Sequence, residues 1–311
     1  MLSLGHCHIV SQKLVLWVLL LLCGHCEAKN PTTQPVSTLF AQRIQMQKID
    51  TGHLHGISGL ARDISGKTWG IAERNRYLVS IQPDSHEEAA LISLHDIPKA
   101  LDIEAITFLN DNALVVGTES QQDDRIEDSI YFMELNESGA HVVSTLNFDY
   151  RPFALTAHDN QGLEGLCNVE PFLIVASEMV GLDDGKRFAP LGIYDLNKKS
   201  WDYSKLILTS DGGKISDIAC RRNGKDIELV AIERHYYISR LVHYQISTQK
   251  QPPMTVVVAN DTLDLAPHFK KSIPNFEGIL FVDKNSVWLI SDNQHKVVSG
   301  PTQLAVIQLA H

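Results

Sequence analysis

Carboxylates recur along this chain at a fixed spacing. In the clearest copy, Asn275-Phe-Glu-Gly-Ile-Leu-Phe-Val-Asp-Lys-Asn-Ser-Val-Trp-Leu-Ile-Ser-Asp-Asn293, Glu277 opens one apolar run and Asp292 closes the next. Four degenerate copies upstream place Ser58 before Glu73, Glu104 before Glu119, Glu164 before Glu178 and Asp217 before Glu233, always 14 to 16 residues apart. An apolar run, a turn and an apolar run back return a chain to its starting level. Both positions of every repeat are therefore expected at the same end of a strand pair. Nine of the ten positions are carboxylates, and Ser58 is the exception.

Like charges crowded into one mouth resist joint ionisation, so either several stay protonated or cations hold them. Many hard oxygen ligands in loose geometry suit Ca²⁺ better than zinc, which favours histidine and thiolate. The expected metal ligands are Glu104, Glu164, Asp217, Glu277 and Asp292, with Ser58, Asn75 and Asn293 as possible neutral oxygens. A second role is open to the same pattern. Acids that recur in every repeat can accept hydrogen bonds from backbone amides of neighbouring strands and so fasten one repeat to the next. The first-strand acids are assigned chiefly to metal, and the second-strand acids, Asp292 apart, chiefly to fastening.

Basic and titratable groups flank the same positions: His53 and His55, Arg74 after Glu73, and Arg234-His235 after Glu233. Beside a bound cation such groups can hold an anionic substrate, and a histidine can move a proton. Each also has a plainer use as a surface side chain or ion-pair partner. The candidate catalytic set is Glu164, Glu277, His235, Arg234 and Arg74. No Gly-X-Ser-X-Gly elbow, His-Glu-X-X-His helix, phosphate loop or dinucleotide fingerprint occurs, so an enzyme here would use water polarised by metal.

The elements that position these groups read as strands throughout. Each repeat continues into two more short apolar runs, making a four-stranded meander, for example 103–109, 113–118, 129–135 and 141–148 in the second repeat. The third strand of the third repeat is expected at 191–196, and the fourth strand of the fourth repeat at 254–258. The fifth repeat ends one strand short, while the alternating run 40–49 has no partner nearby. The pattern predicts an all-β, five-bladed β-propeller over residues 39–311, closed by its N-terminal strand. Six blades would require a further repeat within 149–162 or 261–274.

Net charge of −10 argues against nucleic acid or an anionic membrane as principal partner and fits cation binding. Residues 1–28 carry Lys13, the apolar run Leu14 to Cys23 and small residues near Ala28, the pattern of a secretory signal peptide. A retained anchor or a lipid on Cys23 or Cys26 is the less favoured reading. Residues 29–38 read as a polar linker. A secreted or periplasmic monomer, without membrane contact after cleavage, is expected to act on a small anionic ester. Of the five cysteines only Cys167 and Cys220 would remain. They occupy equivalent faces of neighbouring repeats, and two buried free thiols are expected.

Several of these stretches resemble the phytase-like β-propeller family known as esterase-like activity of phytase. They are Gly56-Ile-Ser-Gly-Leu60, Gly162-Leu-Glu-Gly-Leu166, Ile215-Ser-Asp217 with Leu229-Val-Ala-Ile-Glu-Arg234, and Asn275-Phe-Glu-Gly-Ile279 with Leu289-Ile-Ser-Asp-Asn293 and Thr302-Gln-Leu304. The resemblance spans about residues 50 to 310. It implies a propeller and hydrolysis of phosphate or carboxylic esters. Calcium-dependent phytases and lactonase or arylesterase propellers are looser relatives with calcium in the channel, which by similarity makes Glu104, Glu164, Asp217 and Glu277 metal ligands. The alternative function is a non-catalytic cell-envelope propeller that binds a protein or glycan and holds structural calcium.

Overall fold

A computed structural model describes residues 39–51, 54–83, 88–159, 161–248, 254–269, 272–293 and 301–310. The expected signal peptide, linker and His53 lie outside the described residues. Strand β1 (Phe40–Lys48) comes first. Blade one is β2 (Ile57–Arg62), β3 (Thr68–Ala72), β4 (Tyr77–Ser80) and β5 (Leu91–Ser93); blade two is β6 (Leu101–Asn110), β7 (Ala113–Ser120), β8 (Glu127–Asn136) and β9 (Gly139–Asp149). Blade three is β10 (Leu163–Val169), β11 (Phe172–Ser177), β13 (Lys186–Asp195) and β14 (Ser200–Ile207), with the short β12 (Gly181–Asp183) folded onto β13. Blade four is β15 (Lys214–Asn223), β16 (Asp226–His235), β17 (Ile238–Ile246) and β19 (Asp261–Asp264), and blade five is β20 (Asn275–Asp283), β21 (Ser286–Asp292) and β22 (Gln303–Leu309).

Strand β1 pairs antiparallel with β22 and closes blade five from outside, so the sheets form a five-bladed propeller. The segments that left room for a sixth blade contain single-turn 3-10 helices, Arg151–Phe153 and Ala266–His268. Among the described residues no helix is long and apolar enough to cross a membrane.

Two strands depart from expectation. In blade three β13 starts at Lys186, before the expected 191, because β12 and β13 extend that edge as a hairpin. The run expected as the fourth strand of blade four, β18 (Met254–Val257), instead lies parallel to β14 and becomes a fifth main strand of blade three. Its outward Val256 is 55% exposed, and Ser204 and Thr255 share a hydroxyl hydrogen bond across the pair. Polar Asp261–Asp264 completes blade four, because the ladder of β17 needs a partner at the edge more than that edge needs an apolar side chain.

The core is divided into seams between blades. Leu191 and Ile174 meet Leu229 and Tyr244 between blades three and four, and Ile57 and Val79 meet Ile290 and Leu304 between blades one and five. Burying a side chain of this size stabilises by about 1.5 to 3 kcal/mol, and Phe40 of β1 contributes to the seam between blades four and five. Closure of the ring thus serves two blades.

One irregularity recurs in all five blades. The register between first and second strands slips by one residue between Ile57 and Gly59, Ile103 and Ala105, Leu163 and Gly165, Ile215 and Asp217, and Phe276 and Gly278. Each slip is a β-bulge, a device found at barrel rims and beside functional sites. The bulged residues are Ser58, Glu104, Glu164, Ser216 and Glu277.

Candidate metal and anion site

The bulges set the true correspondence between blades. Residues paired just before them place Glu119 opposite Asp102, Asp292 opposite Asn275 and Arg234 opposite Lys214, and Glu73 and Glu178 bond back to Gly56 and Gly162. In blade four, therefore, Ser216 and Arg234 take the places that Asp217 and Glu233 were expected to fill. From Ser216 to Arg234 the fourth repeat spans 18 positions, against 14 or 15 in the other blades, a difference that the 16-residue spacing of Asp217 and Glu233 concealed.

Asp217 stands where other blades have Gly59, Ala105, Gly165 and Gly278. That position is cramped by the next blade: a Cβ on Gly165 would come within 2.8 Å of the Ile218 amide nitrogen. Asp217 exploits the approach, its Oδ2 accepting from the Ile279 amide at 2.7 Å and its Oδ1 from the Ile218 amide at 2.7 Å. Burial pushes its pKa well up, while the two amide bonds act in the opposite direction. Glu233 is likewise spoken for, accepting from the amides and hydroxyls of Thr209 and Ser210. Both acids fasten backbone and stand apart from the carboxylates at the mouth.

Five of the remaining acids, together with Asp102, form two clusters. Glu119, Glu164 and Glu178 can bring one oxygen each to within 4.8 Å of the others, and so can Glu73, Asp102 and Glu104. In the first cluster Glu119 and Glu178 are only 3% and 4% exposed, yet Glu119 Oε1 and Glu178 Oε1 accept no hydrogen bond. Arg125 Nη2 approaches Glu119 Oε1 only to 4.0 Å and is otherwise committed to Asp128 and to carbonyls. Unpaired oxygens at such depth are costly without a cation. This donor set, all carboxylate oxygen, fits Ca²⁺.

Burial drives the protonation equilibria here. It pushes Glu119 up to about 8, with Glu178 adding to the shift. Glu164 and Glu104 rise well above the carboxylate range for the same reason, aided by Glu178 and Glu104 around Glu164 and by Glu73 and Glu119 around Glu104. Glu277 rises to about 7 through burial, partly offset by Arg234.

Glu277 sits apart from both clusters. Its Oε1 accepts from Arg234 and from Asn275 Nδ2, the latter at 2.9 Å, and Asn275 also reaches Asp292 at 3.4 Å. Arg234 Nε is buried without an acceptor. His235 follows Arg234, and its pKa is lowered by burial and by Lys214, Arg234 and Arg187. Arg74 is largely exposed and donates to Glu73 at 3.0 Å. The expected residues thus divide between an acidic side holding Glu104 and Glu164 and a side where Arg234 bonds to Glu277, with His235 following Arg234 in sequence.

Sequence reasoning missed Lys214, which donates to Glu178 Oε2, and Asp102. Their signal was their position just before the bulge, two residues ahead of Ser216 and Glu104. The bridge between Cys167 and Cys220, with Cα atoms 5.7 Å apart, corrects the expectation of free thiols. By the bulge register Cys220 corresponds to Asn168 and Cys167 to Ala219, so the two cysteines leave opposite faces of their strands and meet in the seam between blades three and four, at a separation within bridging range.

These features define a five-bladed propeller with a carboxylate-lined mouth and one basic blade. The chain matches the family described as "Phytase-like: Esterase-like activity of phytase" over residues 52–295 and belongs to it. No curated protein sequence matches it. Solved structures similar in shape include a PQQ-bound aldose sugar dehydrogenase from Streptomyces coelicolor, at 9% identity and TM-score 0.49, covering 87% of this chain and 100% of that one. A thermostable family-43 glycoside hydrolase has 8% identity, TM-score 0.48 and coverage of 85% and 93%. A protein of unknown function from Dyadobacter fermentans has 10% identity, TM-score 0.45 and coverage of 87% and 100%.

Proposed function

We propose that the protein is a calcium-dependent ester hydrolase acting on phosphate or carboxylic esters outside the cytoplasm. The observation that carries this reading is the pair of buried oxygens that accept no hydrogen bond, Glu119 Oε1 and Glu178 Oε1, beside Glu164. Glu119, Glu164 and Glu178 are the residues that would hold the cation, with Glu104 in the neighbouring cluster. Bound calcium would polarise an ester oxygen and lower the pKa of water.

The chain's own groups supply the rest. Arg234 and Lys214 offer positive charge on the blade-four side, where an anionic ester group would bind. His235, kept neutral near pH 7 by burial and three cationic neighbours, can accept a proton from an attacking water. Glu277 orients Arg234 through its hydrogen bond. The Cys167–Cys220 bridge supports an oxidising compartment, since such links persist outside the cytosol.

The test is release of phosphate from phytate, and of acid from a carboxylic ester, by purified protein with calcium or with chelator. Turnover of either ester only with calcium is expected, and turnover that survives chelation refutes the reading. Absence of any turnover moves the protein to the binding class.

A further inference from the structure

We propose that Lys214 is an internal counter-ion of the Glu119–Glu164–Glu178 cluster, displaced by the incoming cation and then used to bind an oxyanion. Cation and oxyanion would in consequence bind cooperatively. The inference rests on the reading that this cluster takes calcium.

Three observations carry it. Lys214 holds the place occupied by Gly56, Asp102, Gly162 and Asn275 in the other blades, so a positive charge at this place is peculiar to blade four. Its ammonium donates to Glu178 Oε2, and burial, which opposes its charge, is outweighed by Glu178 and Glu164. Even so, one monovalent head leaves Glu119 Oε1 and Glu178 Oε1 without a hydrogen bond. Lysine is thus a partial substitute where a divalent ion would engage all three acids.

A cation among these carboxylates would repel the ammonium nearest to it. The lysine stem is long and flexible, so the head can leave Glu178 without disturbing the strand. Arg234 is its direct partner across the β15–β16 pair, with an Nε that lacks an acceptor. The two cationic heads now diverge, Lys214 to Glu178 of blade three and Arg234 to Glu277 of blade five. A phosphate oxyanion is a group of opposite charge that answers both donors.

Calorimetric titration of metal-stripped protein with calcium, with and without inorganic phosphate, tests this. In the wild type, phosphate should tighten calcium binding at least about fivefold, the low end of ordinary coupling between sites. Lys214→Met should bind calcium about tenfold more tightly than wild type and show no effect of phosphate. Calcium binding to wild type without phosphate coupling would overturn the proposal, as would unchanged or weaker calcium binding by Lys214→Met. Lys214→Gln provides the same reading if the methionine variant does not fold. Absence of calcium binding by folded wild type would overturn the calcium site itself and this inference with it.

Discussion

Asp217 Oδ2 accepts the Ile279 amide hydrogen at 2.7 Å, so a carboxylate from the first strand of blade four closes a backbone bond in blade five. Asp217→Ala would strand this amide and that of Ile218 in a buried seam. We expect a loss of about 2 to 4 kcal/mol, read from denaturant unfolding, with calcium affinity unchanged. A weakened calcium site in the folded variant would return Asp217 to the ligands.

Glu164 sits in the cluster without fastening any backbone. Glu164→Gln should therefore leave the metal-free melting temperature unchanged or raised, because a buried acid that resists ionisation beside Glu178 and Glu104 becomes a neutral amide. It should abolish the calcium-induced rise in melting temperature together with turnover. Thermal unfolding with and without calcium distinguishes this from simple misfolding.

The pH dependence follows from the raised carboxyls. Glu277 and Glu119 titrate at about 7 and about 8 when folded, against an ordinary 4.5. A carboxyl whose folded pKa is raised favours the folded state at low pH, and that advantage is lost as pH climbs from the ordinary value through the folded one. Chelated protein should accordingly lose stability between about pH 5 and pH 8. Calcium should restore it, so the gap between loaded and stripped melting temperatures should widen across that window. A gap that narrows with rising pH would contradict the assignment.

The bridge from Cys167 to Cys220 encloses a sequence separation of 53. Loop-closure entropy for that length corresponds to about 4 kcal/mol. Cys167→Ala with Cys220→Ala should lower stability by a comparable amount, and wild type in strong reductant should match the double variant. Identical stability of oxidised and reduced wild type would show that the bridge does not form.

The blade count and the closing strand were legible because apolar runs separated by turns repeat at blade length, and because β1 was an evident orphan. The exchange of β18 and β19 was not, since Met254–Val257 is the more strand-like segment and only pairing decides which edge it covers. At the mouth, Glu104 and Glu164 were readable from the Glu-Ala and Glu-Gly steps. Ser216-Asp217 misled because an acid one residue from the expected place looks like a variant of the motif, when it is the cramped glycine position put to another use. Lys214 stands at a position that is Gly56, Asp102, Gly162 and Asn275 in the other blades, and no common residue type there marked it.

The five bulges amount to five sockets of one shape around a common axis. Three hold glutamate and two hold serine, and each serine hydroxyl reaches a carbonyl of the following blade, Ser58 to Ile103 and Ser216 to Phe276. The strand geometry tolerates either occupant, so the charge of the mouth can be rewritten by single substitutions with no change in the framework. Such a ring behaves as a five-digit register, in which a scaffold of fixed form can acquire a different chemistry one blade at a time.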